Sequence, residues 1–102
     1  MIELIALGIV IILAGLVIAN YRSIMLDMIG QLIQGRPEDY SGWCYYGSLL
    51  EKEGYYLQAY NAFKRAVTLA PTYTQAWKGL GDVLTKMGDH VGAAEAYRFS
   101  DT

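Results

Sequence analysis

A chain of 102 residues has room for one small domain. Ten acidic and eight basic residues leave a net charge of −2, and no basic face emerges from their distribution, so nucleic acid is not an expected partner. One cysteine excludes an intrachain disulfide, one histidine excludes a histidine pair for a metal, and a hydrophobic content of 54% is high for a soluble protein.

Most of that excess lies at the start. Residues 4–19, LIALGIVIILAGLVIA, carry no charge. At a rise of 1.5 Å per residue they make about 24 Å of helix, and about 31 Å with residues 1–3 and 20–21 included, which matches a hydrocarbon core of about 30 Å. Residues 1–21 are therefore expected to form a single-pass transmembrane anchor in the lipid bilayer, with Glu3 at one interface and Tyr21 and Arg22 at the other. Val17 and Ala19 also resemble a signal-peptide cleavage pattern, but Glu3 stands where such a peptide carries basic residues. A buried core helix fits less well, because a small domain lacks the surface to cover sixteen uninterrupted apolar residues. Gly8, Gly15 and Ala19 fall close to one face, a spacing that lets membrane helices approach closely. Arg22 and Arg36 follow the anchor, and this places the rest of the chain in the cytoplasm by the positive-inside rule.

Residues 22–36 read as an amphipathic connecting helix. Tyr21, Ile24, Met25, Met28, Ile29, Leu32 and Ile33 recur at spacings of three and four, opposite Arg22, Ser23, Asp27, Gln31 and Gln34. Gly35, followed by Arg36 and Pro37, is the stop signal. A helix lying flat on the membrane has the same pattern. Arg22 and Arg36 are too few cations to hold anionic lipid well, so a packing role is expected.

Residues 37–71 read PEDYSGWCYYGSLLEKEGYYLQAYNAFKRAVTLAP, and their key positions return one period later. Trp43 returns as Trp77, Gly47 as Gly81, Leu50 as Leu84, Gly54 as Gly88, Ala59 as Ala93 and Phe63 as Tyr97, each 34 residues on. Trp43, Tyr46, Gly47 and Leu50 share one helical face. Gly54 is placed to end that helix in a left-handed cap. Tyr56, Ala59, Tyr60, Phe63, Ala66 and Val67 then form a second apolar face, and Pro71 closes the unit because it cannot continue a helix. A period of this size points to stacked helix–turn–helix units.

This pattern resembles the tetratricopeptide repeat (TPR) family, in which Trp, Leu-Gly, Tyr, Ala, Phe, Ala and Pro recur in that order. The first unit carries Trp43, Gly47, Ala59, Phe63, Ala66 and Pro71, with Tyr46 where Leu is usual and Leu50 where Tyr is usual. The second carries Trp77, Leu80, Gly81, Ala93 and Tyr97, with Leu84 for Tyr and Ser100 for Ala. The resemblance covers residues 37–102, as repeats 37–70 and 71–102, and implies an all-α solenoid fragment. Counting back one period puts Met25, Ile29 and Leu32 at the places of Ala59, Phe63 and Ala66. Residues 22–36 are thus expected to act as the second helix of a preceding unit and to cap the first repeat.

No catalytic constellation is visible, and neither an enzyme, a cofactor, a metal nor a small-molecule substrate is expected. His90 reads as a surface residue opening the last helix. Cys44 has no nearby cation to activate it and reads as a packing or groove-lining residue. The resemblance implies a binding surface on the concave face, at Ser41, Cys44, Tyr45, Ser48 and Lys52 and at Gln75, Lys78, Asp82 and Lys86. Tyr45, Ser48, Lys52, Lys78 and Asp82 are the candidate partner contacts. The family's clamp for C-terminal carboxylates uses Lys and Asn at places held here by Cys44, Ser48, Lys78 and Asp82, so that ligand is not expected. The second repeat lacks the solvating helix that family members usually add. Its second helix is therefore expected to stay open to another chain at Ala93, Ala96, Tyr97 and Phe99. The sequence thus reads as a membrane-anchored interaction module, an accessory or assembly subunit of a larger membrane complex with other protein subunits as partners. A self-assembling homo-oligomeric scaffold is the alternative.

Overall fold

The computed structural model describes residues 1–101, and Thr102, the last residue of the expected second repeat, lies outside them. The described residues form five helices and no strand: α1 (Ile2–Gln34), α2 (Tyr40–Lys52), α3 (Tyr56–Leu69), α4 (Thr74–Lys86) and α5 (His90–Ser100). The molecule measures 62 × 32 × 18 Å. Its long dimension follows α1, whose 33 residues span about 50 Å at 1.5 Å per residue. The apolar run and the amphipathic stretch share this one helix. Asn20-Tyr21-Arg22 contains neither Gly nor Pro, so nothing interrupts the backbone ladder between them. Gly35 ends the helix in the right-handed region, at φ −74°, with its N–H bonded back to Gln31 and Ile33.

The units at α2–α3 and α4–α5 repeat in detail. Gly54 and Gly88 adopt φ of 84° and 87°, a conformation that only glycine enters freely. Each closes its helix with the same pair of bonds: Tyr55 N to Leu50 O and Gly54 N to Glu51 O in the first unit, Asp89 N to Leu84 O and Gly88 N to Thr85 O in the second. The indole N–H of Trp43 donates to Pro37 O at 3.0 Å, and that of Trp77 to Pro71 O at 2.7 Å. The tryptophans thus tie each first helix to the turn before it. The N-caps break the period. Asp39 caps α2 by accepting from Gly42 N, and Asp89 caps α5 by accepting from Gly92 N. The Gly42 N–H, helped by the Ser41 hydroxyl, holds the Asp39 carboxyl below its usual range.

The core runs through α2 to α5. Phe63 is 1% exposed and sits where two first helices have no side chain. A Cβ on Gly47 would come within 3.0 Å of its ring, and one on Gly79 would overlap it. Tyr97 stands against Gly81 in the same manner. Glycine at these places lets the helices close around an aromatic ring.

Helix α1 packs on α2 alone, and with a different face from the one its spacing suggested. Leu26 and Ile29 are half-buried, and Gly30 and Ile33 are buried. Gly30 lies over the Tyr46 ring, and the Ile33 side chain fills the space above Gly42. Of the seven residues in the expected stripe only Ile29 and Ile33 are covered; Tyr21, Ile24, Met25, Met28 and Leu32 are exposed. The reason is the number of neighbours. Helix α3 is packed between α2 and α4, so two arcs of it are covered. Helix α1 has one neighbour and covers one arc.

Candidate protein-binding surface

The concave-face candidates differ in what they can still offer. Tyr45 is 57% exposed, and its ring borders a recess shared with Ile29, Leu32, Ile33, Arg36 and Gly42. Lys52 is exposed at the rim of an apolar notch of about 130 Å³ between α1 and α2, lined by Arg22, Met25, Leu26, Ile29 and Leu49. The Ser48 hydroxyl donates to Cys44 O at 3.2 Å and so serves its own helix. Lys78 is exposed beside Thr74, Gln75, Tyr97, Ser100 and Asp101 in a groove between the start of α4 and the end of α5.

Asp82 and Tyr97, drawn from two different expected surfaces, meet each other. The Tyr97 hydroxyl donates to the Asp82 carboxylate. That hydrogen bond raises the pKa of the phenol, since ionising it would remove the donor beside a carboxylate. Asp82 is therefore engaged within the second unit. A second polar tie joins the units: Lys86 Nζ lies 2.9 Å from Glu51 Oε1, and this contact holds the Lys86 ammonium above its usual pKa. Arg22 and Glu53, 4.0 Å apart, connect α1 to the first turn.

The C-terminal candidates also divide. Ala93 and Ala96 are each 3% exposed and offer almost no surface of their own, although Ala96 borders a recess with Trp77, Leu80, Gly92 and Phe99. Phe99 is 44% exposed and stacks on Trp77 with centroids 4.6 Å apart. One period earlier Arg65 lies over Trp43, 5.2 Å from its centroid. Both units thus shield the outer face of their tryptophan from the same position, one with a cation and one with a ring. Counting 34 residues from Phe99 to Arg65 would have found this pair in the sequence.

Cys44 is buried, and burial pushes its thiol above the usual value. It packs in the core and does not line the groove. The native protein is expected to react slowly with a thiol-specific reagent and fully only after denaturation; prompt labelling of folded protein would contradict this placement. In the apolar half of α1, a Cβ on Gly8 or Gly15 would meet nothing within 4 Å, and Ala19 is exposed.

No protein-family model matches the chain, and no curated protein does. Solved structures of MamA do match. MamA of AMB-1 in P212121 crystals superposes with a TM-score of 0.75 at 17% identity, over 81% of this chain and 45% of that one. MamA of MSR-1 gives 0.73 at 17% identity, over 81% and 48%. MamA from residue 41 to the end, from Desulfovibrio magneticus RS-1, gives 0.73 at 21% identity, over 85% and 49%. The fold is of the TPR type. The chain spans about half the length of these solved chains, and at such identities the likeness is one of fold. Of the five candidate contacts on α2 and α4, Tyr45, Lys52 and Lys78 have exposed side chains, while Asp82 and Ser48 are hydrogen-bonded within the fold.

Proposed function

We propose that this chain is a membrane-anchored TPR module that serves as a small accessory or assembly subunit of a larger membrane protein complex. Its activity is binding. The repeats, residues 37–102, face the cytoplasm, and a protein partner is held along Tyr45, Lys52 and Lys78.

The observation that carries this reading is the state of the first half of α1. Its most apolar 18-residue window has a mean hydropathy of 2.9, and none of it is buried by the rest of the chain. A soluble core helix of that composition would be covered; an exposed one of about 30 Å fits a bilayer. Gly15 and Ile33 lie about five turns apart and so share an azimuth. The small-residue face of the anchor is thus on the side where the repeats sit, and a partner helix seated against Gly8, Gly15 and Ala19 would emerge beneath them.

Purification of the full chain in mild detergent, with mass spectrometry of what co-elutes, tests the reading. Unrelated subunits in a fixed ratio, lost from a Tyr45→Ala, Lys78→Glu double variant, are the expected result. Recovery of this chain with no other protein would contradict the accessory role.

A further inference from the structure

Residues 21–34 of α1 divide into three arcs. One faces α2 through Leu26, Ile29, Gly30 and Ile33. One is polar, with Ser23, Asp27, Gln31 and Gln34. The third holds Tyr21, Ile24, Met25, Met28 and Leu32, exposed to between 39% and 68%, and no helix of this chain covers it. We propose that two copies pair in parallel through this third arc, as a short coiled coil that continues the membrane helix into the cytoplasm. The pairing rests on the anchored reading of α1, which supplies its direction and height.

The spacing is the first argument. Tyr21, Met25, Met28 and Leu32 alternate steps of four and three, the seam of a heptad pattern, and Ile24 broadens it on one side. The second concerns lipid. About 20 residues fill the hydrocarbon core, which reaches from Ile2 to about Tyr21. Met25 to Leu32 then stand roughly 6 to 17 Å beyond it at 1.5 Å per residue. Arg22 and Asp27 on the same turns also keep this segment out of the acyl chains. The bilayer therefore leaves Met25, Met28 and Leu32 uncovered, and a protein surface is the cover that remains.

The repeat itself shows what kind of cover the arc takes. One period later the places of Met25, Met28 and Leu32 are held by Ala59, Ala62 and Ala66, all 2% exposed or less inside the helical stack, while those of Tyr21 and Ile24 are held by the exposed Tyr55 and Gln58. The arc is built for a helix. Within the chain every first helix is already paired, α2 with α3 and α4 with α5, so a second copy has none to donate. What a second copy does present is the same stripe. Two anchored copies rise from the membrane in the same direction and at the same height, so each residue meets its own counterpart about a two-fold axis. The flanks permit this. Ile24 and Gln31 are neutral, and Arg22 is directed to Glu53, which leaves no like charges facing across the seam. Helix α2 lies on a different arc and does not obstruct it.

Single cysteines placed along α1 of the full chain test the pairing. Met25→Cys, Met28→Cys and Leu32→Cys sample the seam, and Ser23→Cys, Asp27→Cys and Gln34→Cys sample the polar arc. The parent, with only buried Cys44, gives the background. Membranes are washed with alkaline carbonate, oxidised with copper phenanthroline and run on a non-reducing gel. Dimer bands several-fold stronger at the seam than on the polar arc are expected, and Leu32→Glu added to Met28→Cys should abolish them. Equal or absent bands from carbonate-resistant protein would overturn the pairing while leaving the anchor intact, as would cross-links only to a different protein. Release of the chain by carbonate would overturn the anchor itself.

Discussion

Replacing Phe63 by alanine is expected to unfold the repeats. The ring is one of the largest fully buried side chains, and it touches both first helices through the bare backbones of Gly47 and Gly79. Phe→Ala in a core costs about 3–5 kcal/mol. A domain of this size has about 5–15 kcal/mol in total, and a short repeat array lies near the lower end. The opposite error at the same contact should also be felt. Gly79→Ala inserts a methyl where the ring already sits, at a cost of about 1–3 kcal/mol. Because both changes act on one contact, Gly79→Ala combined with Phe63→Leu should lose less than the two singles added. Urea unfolding of the full chain in detergent, followed by far-ultraviolet circular dichroism, reads these variants and Phe63→Leu alone. An unchanged midpoint for Phe63→Ala would contradict the packing described here.

How far the sequence foretold this structure depends on the kind of contact. The 34-residue period was legible because it marks what each unit needs internally: a tryptophan bound to the preceding turn, a glycine where an aromatic ring must fit, and a glycine at positive φ. Gly54 and Gly88, at 84° and 87°, are the plainest case. Contacts that depend on how many neighbours a helix has were not legible. The spacing of α1 reveals a broad apolar surface but not which part of it meets α2. Leu26 and Gly30 do so, while Leu32 remains exposed. The same holds for Ala93 and Ala96, which the sequence put at an open end without showing that both are almost wholly buried. Asp82 looked available because a carboxylate on a first helix usually is. Only the approach of α5 brings the Tyr97 hydroxyl to it.

Leu13→Arg is expected to abolish stable membrane association. Leu13 lies near the middle of the apolar run and is exposed along the side of α1. Arginine at the centre of a membrane helix costs about 2.5–3.5 kcal/mol on insertion scales, and the favourable contribution of leucine is lost with it. The run holds only sixteen uncharged residues between Leu4 and Ala19, which leaves little length by which the helix could slide to bring the guanidinium to an interface. Leu13→Ala, which keeps the run uncharged, should have no such effect. Fractionation of cells making each variant measures this, and equal recovery of Leu13→Arg and parent in the membrane pellet would contradict an anchor at this place.

The central claim is that one continuous helix holds the repeats to the inner side of a membrane. Carbonate washing of membranes that contain the full chain, followed by protease added separately to intact cells and to lysed ones, tests it most directly. The chain should stay in the pellet at alkaline pH, and its repeats should survive protease outside intact cells but be digested after lysis. Release into the supernatant, or digestion in intact cells, would contradict the account.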